Sequence, residues 1–297
     1  MDCATAGGEY ELSKSLLSHA RSVFHAALLR DVLFFDAAGM ATNCDKSNRM
    51  SVSIGNEVAA LLGAEPGQRV SGQRSGASFE HAVRQFLTDC LPLYNLLHPG
   101  KWEVSNVGSV RNTDHISMFE PYRHLAALKN AVETDPRILA VLGNSYSISP
   151  DVVVYREPLL DVEINDRLRL VDPSVGRRSI IRRCNQVSPI LHAIVSCKWT
   201  LRSDRAQNAR AEALSALRNR KGRAPHIVVV TGEPDLRRIS SLALGTGDID
   251  MVYHFALPEL IDAVELLGDD DAKERLAHLV SGQRLRDIAD LPLDLCV

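Results

Sequence analysis

Three short stretches carry side chains suited to work on a phosphodiester. Asp151 follows Pro150 at the head of the β-branched run Val152-Val153-Val154. Ser196-Cys197-Lys198 closes a second apolar run, and Glu212 lies fourteen residues beyond Lys198. In a strand, residues two apart share a face, so Ser196 and Lys198 point one way and Cys197 points into the core. A carboxylate on one strand beside a lysine on the next is what Mg²⁺-dependent phosphodiester hydrolysis needs. Asp151 would hold the cation, Lys198 would orient or help activate water and stabilise charge building on phosphorus, and a second carboxylate would complete the cation site. Glu212, about two turns into the helix that follows, can reach back to that pocket.

The residues between add a second chemistry. Arg202, Asp204 and Arg205 cluster at a helix start directly after Lys198. Arginine donates two bonds to guanine O6 and N7, and aspartate accepts from cytosine N4, in the major groove. Arg-Ser-Asp-Arg is thus a compact device for reading C·G pairs next to a scissile phosphate. Arg205, Asn208 and Glu212 fall on one helical face. Reading and cutting would share one rigid element.

The elements that must hold these residues are visible as patterns. Apolar residues at helical spacing predict helices over 11–35, 55–63, 77–97 and 122–135, with loop over 36–54. After Pro150 the period changes. Strands are expected over 151–155, 162–171 (hairpinned to its neighbour), 190–199, 226–231 and 251–256. A helix over 204–219, capped by Ser203 or Asp204, links two of the strands, and helices over 257–267 and 271–281 follow. Helices, then strands with a crossover helix, indicate an α/β fold with a central mixed sheet flanked by helices. No Gly/Ser/Pro-rich linker divides the chain. We expect one domain, with a helical part over about 1–149 and a sheet core over about 150–297.

Charge is unevenly placed along the 297 residues. The net charge is −3, yet residues 177–223 hold twelve Lys/Arg against two acids, and 261–297 hold nine acids against four bases. A basic block in an acidic chain points to a polyanion partner. Only Trp199 is aromatic within that block, which disfavours a base-stacking platform for single strands and favours duplex DNA. No apolar run reaches the ~18 residues of a membrane span. The first residues lack the basic and apolar regions of a secretory signal, and the six cysteines form no CxxC pair. A cytoplasmic protein with reduced thiols is expected. The histidines lack metal-ligand spacing.

The run SCKWTLRSDRAQNAR resembles a signature of the CCGG family of Type II restriction endonucleases, in the PD-(D/E)XK superfamily. The likeness extends to Cys44-Asp45-Lys46-Ser47-Asn48, to Gly72-Gln73-Arg74-Ser75-Gly76 with Phe79-Glu80, to 218–223 with HIVVVT, to 238–247 and to 287–295. It implies the restriction-endonuclease-like core. It implies Asp151 as the shared metal ligand, the Cys197 carbonyl as a further ligand, Lys198 as the catalytic lysine and Ser196 in the vacated acidic slot. Glu212 becomes the relocated acid and Glu80 an accessory acid. Arg202, Asp204 and Arg205 would read the central CCGG, Asp45 and Arg238 the outer pair, and Ser47 and Gln73 the minor groove. A Mg²⁺-dependent homotetramer of two dimers is implied. It would cut two copies of GCCGGC after the first G, leaving four-base 5′ overhangs, within a restriction-modification system. Another nuclease of the same core, or a catalytically silent DNA-binding module, are the alternatives.

Overall fold

Four of the expected strands pair edge to edge in the computed structural model, which describes residues 14–67, 72–106, 116–135, 137, 148–245 and 247–297. They are β2 (Val152–Arg156), β3 (Ile190–Lys198), β4 (His226–Thr231) and β5 (Met251–His254). Two short strands, β1 (Trp102–Asn106) and β6 (Leu285–Asp287), extend the sheet at its margins. The order is β1-β2-β3-β4-β5-β6. Strand β2 runs antiparallel to both β1 and β3, and β3 through β6 run parallel. The expected mixed α/β architecture is therefore present. Residues 191–197 of β3 are buried throughout, as a strand covered on both faces must be.

The helices are α1 (Leu16–Asp31), α2 (Arg49–Leu61), α3 (Gly72–Asp89), α4 (Leu91–Leu97), α5 (His124–Thr134), α6 (Asp161–Ile164), α7 (Ser203–Asn219), α8 (Leu236–Ala243), α9 (Leu257–Leu267), α10 (Asp270–Ser281) and α11 (Leu291–Asp294). Helix α3 lies across β1, β2 and β3, α1 packs on α3, and α2 packs on α9. The rings of Phe24 and Phe86 meet at 5.5 Å, and Phe79 meets Trp199 at 5.1 Å. Phe79 thereby fixes α3 against the end of β3; burying such a ring stabilises by roughly 1.5–3 kcal/mol.

Several sequence expectations are corrected. Residues 162–171 are not a strand and make no hairpin; β2 pairs with β1 and β3 instead. Glu163 accepts from the Leu160 N–H and opens a single helical turn. Asn165 then ties down the backbone of Leu170 and Val171, while Val162, Leu168 and Leu170 lie exposed with no sheet to cover them. The short helix begins at Arg49, not 55, because Asn48 accepts from Met50 N and Ser51 N and caps it within the supposed loop. The helix over 77–97 is two helices, α3 and α4, since Pro92 has no N–H to continue the ladder. Helix α7 is capped by Arg202 in an extended backbone, so Ser203 and Asp204 both fall in its first turn. Strands β1 and β6 escaped the sequence reading, as did α8. Residues 11–13 of the first expected helix lie outside the described residues.

Candidate active site

Topology brings the chemistry together. Strand β2 is antiparallel to β3, with Val152 opposite Val195, so the start of one strand meets the end of the other. Asp151 Oδ2 there accepts from Cys197 N at 2.7 Å and from Lys198 Nζ at 2.9 Å. Lys198 Nζ is also 3.8 Å from Glu212 Oε2, so the acid two turns into α7 does reach back. Burial alone would push the Lys198 ammonium down, but Asp151 and Glu212 more than offset it and hold the charge. Asn106 of β1 donates to the Asp151 carbonyl at 3.3 Å.

The carboxyls feel one another. Glu80, on the face of α3 that meets the sheet, is pushed up to about 7 by burial and by the charges of Asp151 and Glu212, with Lys198 opposing. Burial also raises Glu212; Lys198 and the Ser196 hydroxyl favour its charged form. Ser196 Oγ is buried near that carboxylate without completing a hydrogen bond. The Cys197 thiol is buried and driven well above its ordinary range by that burial, so only the Cys197 backbone serves the site. With the side chains as they stand, no three His, Cys, Asp or Glu among the described residues close around an ion. The donor set is nevertheless all oxygen and acid-rich, and burial together with the charges of Asp151 and Glu212 raises Glu80. Such a set suits a hard divalent cation.

The expected base readers gather next to it. A cavity of about 260 Å³ is lined by Asp45, Trp199, Thr200, Arg202, Arg205 and Arg238, among others. Arg205 donates to Thr200 Oγ1 at 2.9 Å. Asp45 and Arg238, 193 residues apart, form an ion pair. Ser47 donates its N–H and hydroxyl to Asp45, and these bonds with Arg238 hold the Asp45 carboxyl down at about 2. Asp204 is exposed in the first turn of α7 and is not part of that lining. Ser47 and Gln73 are exposed and do not line it. Gly232 follows β4 where a Cβ would meet the Trp199 ring at 2.4 Å, so only glycine lets the indole seat beside Lys198.

The basic block does not form one surface. Helix α7 returns from the end of β3 to the start of β4. Arg218, Arg220, Lys221 and Arg223 therefore lie about 25 Å from its first turn, at the opposite end of the strands. Sequence reasoning also passed over Glu233, wholly buried behind the readers. Its only signal was a charged residue in the turn directly after an apolar strand.

Comparison with known proteins settles the family. The NgoMIV restriction enzyme family model matches residues 24–297. The Type II restriction enzyme NgoMIV of Neisseria gonorrhoeae is 46% identical over 284 residues, which is 95% of this chain and 99% of that protein. The chain belongs to the NgoMIV restriction enzyme family. The expected restriction-endonuclease membership thus holds over nearly the whole length. A solved restriction endonuclease PspGI–substrate DNA complex is 15% identical. It covers 94% of this chain and 90% of that chain, at a TM-score of 0.25, too low to bear on the argument. Among the described residues no helix is long and apolar enough to cross a membrane, and the described cysteines are unpaired.

Proposed function

We propose that this protein is a Mg²⁺-dependent Type II endonuclease that cleaves double-stranded DNA at GCCGGC, after the first G, leaving four-base 5′ overhangs. The observation that carries this reading is the contact of Lys198 with both Asp151 and Glu212, one residue before Trp199, which lines a cavity together with three arginines and an aspartate. Asp151, Glu212 and the Cys197 carbonyl would hold the cation, with Glu80 as an accessory acid. When bound, the cation supplies Lewis-acid stabilisation of the charge that develops on the phosphate. Lys198 holds the attacking water in line and keeps its proton, placing a fixed positive charge beside the scissile oxygens. Ser196 takes the slot that usually holds an acid, with its hydroxyl beside Glu212.

Reading follows from the same edge. Arg202 and Arg205 donate to guanine, and Asp204 accepts from cytosine, over the central CCGG. Arg238 and Asp45 do the same for the outer pair, exchanging their mutual ion pair for bonds to bases. Ser47 and Gln73 lie at the minor groove. A palindromic site calls for at least two protomers. We take the working form to be a tetramer of two dimers that engages two sites, in the cytoplasm, as the cutting half of a restriction-modification system. Incubation with plasmid and Mg²⁺ tests the reading. Discrete fragments, formed faster from two-site than from one-site plasmid, are expected. A smear would indicate an unspecific nuclease of the same core, and intact plasmid a silent DNA-binding module.

A further inference from the structure

The turn after β4 holds a carboxylate that touches neither the cation site nor the cavity. Glu233 is 0% exposed. Its Oε2 accepts from Leu201 N at 2.7 Å and lies 3.5 Å from Arg238 Nη1. Its Oε1 accepts from Asp235 N at 3.1 Å. Leu201 immediately precedes Arg202, the cap of α7. Asp235 caps α8 through Arg237 N, and α8 carries Arg238. One carboxylate therefore joins the lead-ins of the two helices that present the inner and the outer readers. The same turn is anchored to the catalytic strand. Glu233 N donates to Thr231 Oγ1 at 3.2 Å, and that hydroxyl donates to Lys198 O at 2.7 Å. It is anchored to the N-terminal loop as well, where Asn43 Nδ2 donates to Gly232 O at 2.8 Å and Asn48 Nδ2 to Asp235 Oδ2 at 2.8 Å.

A buried charge is costly unless its oxygens are satisfied, and an apolar residue would fill the same space at less cost. The three partners of Glu233 account for its presence. We propose that Glu233 is a positioning residue for sequence recognition, fixing Arg238 relative to Arg202 and Arg205 so that the outer base pair is read in register with the inner four. This rests on the assignment of Arg238 to the outer pair.

Glutamine in place of Glu233 keeps the size and one acceptor oxygen, but loses the charge that faces Arg238. Single-turnover cleavage by excess full-length enzyme with Mg²⁺ would be compared on three duplexes: GCCGGC, the same site with its outer pair exchanged, and the same site with one inner pair exchanged. For Glu233→Gln, preference against the exchanged outer pair should fall about tenfold, the size of one bidentate contact. Inner-pair preference and the rate on GCCGGC should stay within about threefold of wild type. Glu233→Asp, which keeps the charge but withdraws it by one methylene, should fall between; it carries the test if melting shows that the glutamine variant does not fold. Unchanged outer-pair preference in the variants overturns the proposal, as does an equal fall at inner and outer pairs, the mark of a merely structural role. A wild-type enzyme indifferent to the outer pair would instead sink the Arg238 assignment, and this inference with it.

Discussion

At Lys198 the electrostatics are settled before any substrate arrives. Two carboxylates hold a half-buried ammonium in its charged form against the cost of burial. Lys198→Ala should therefore lower the single-turnover cleavage rate about 10³-fold or more, several kcal/mol of transition-state stabilisation, while specific binding measured by gel shift persists. Near-wild-type turnover would refute the assignment. Glu80 gives a second test. Its carboxyl is raised from an ordinary value of 4.5 to about 7 by burial and by Asp151 and Glu212. The folded state thus binds that proton more tightly than the unfolded chain. The stability tied to it is fully present below about pH 4.5 and is lost as pH rises through about 7. In metal-free urea titrations, wild type should lose about 1–2 kcal/mol more than Glu80→Gln between pH 5 and pH 8, allowing for solvent screening. Parallel pH profiles would contradict this. Of these residues, Asp151, Lys198 and Glu212 were legible because strand alternation and helix rise fix where they point. Glu233 was not, because nothing in a sequence shows that a turn glutamate will be swallowed by two helix starts.

The elements were legible where one period ran long enough. HIVVVT and the run closing at Lys198 became β4 and β3 with their expected bounds almost unchanged. Val162–Val171 misled because alternation in an exposed loop looks like alternation in a strand; only a partner strand could distinguish them, and Asn165 binds the backbone first. Strand β6, at three residues, is too short to show a period, and β1, as long as β2, lacks its β-branched run; both exist because the sheet margins offer them partners. Helix α1 shows its apolar face in the sequence but not its polar anchor. It is fastened to the sheet core by Arg21, which bonds Glu259 at 2.6 Å and Asp287 at 2.9 Å, both partly buried. Arg21→Ala strands two acids and should cost about 2–4 kcal/mol in urea unfolding monitored by circular dichroism. A loss below about 0.5 kcal/mol would show that α1 is held by its apolar face alone.

Over the whole molecule, the antiparallel entry of β2 and the parallel exits of β3 and β4 put Asp151, Lys198 and the proposed base readers at one end of the strands. Ligands favour this carboxyl end of parallel strands. The same geometry divides a basic block that is continuous in sequence. We expect Lys221→Ala and Arg223→Ala to leave the salt dependence of DNA binding unchanged, whereas Arg205→Ala should weaken specific binding by about 1–3 kcal/mol. A flattened salt slope in the Lys221 variant would place DNA at both ends of the strands. If chemistry and reading share this one end of the sheet, digesting a randomised DNA library with the wild-type enzyme and Mg²⁺ and sequencing the ends will reveal one site. Ends derived from GCCGGC, cut after the first G with four-base 5′ overhangs, are expected. Ends that share no CCGG core would contradict this.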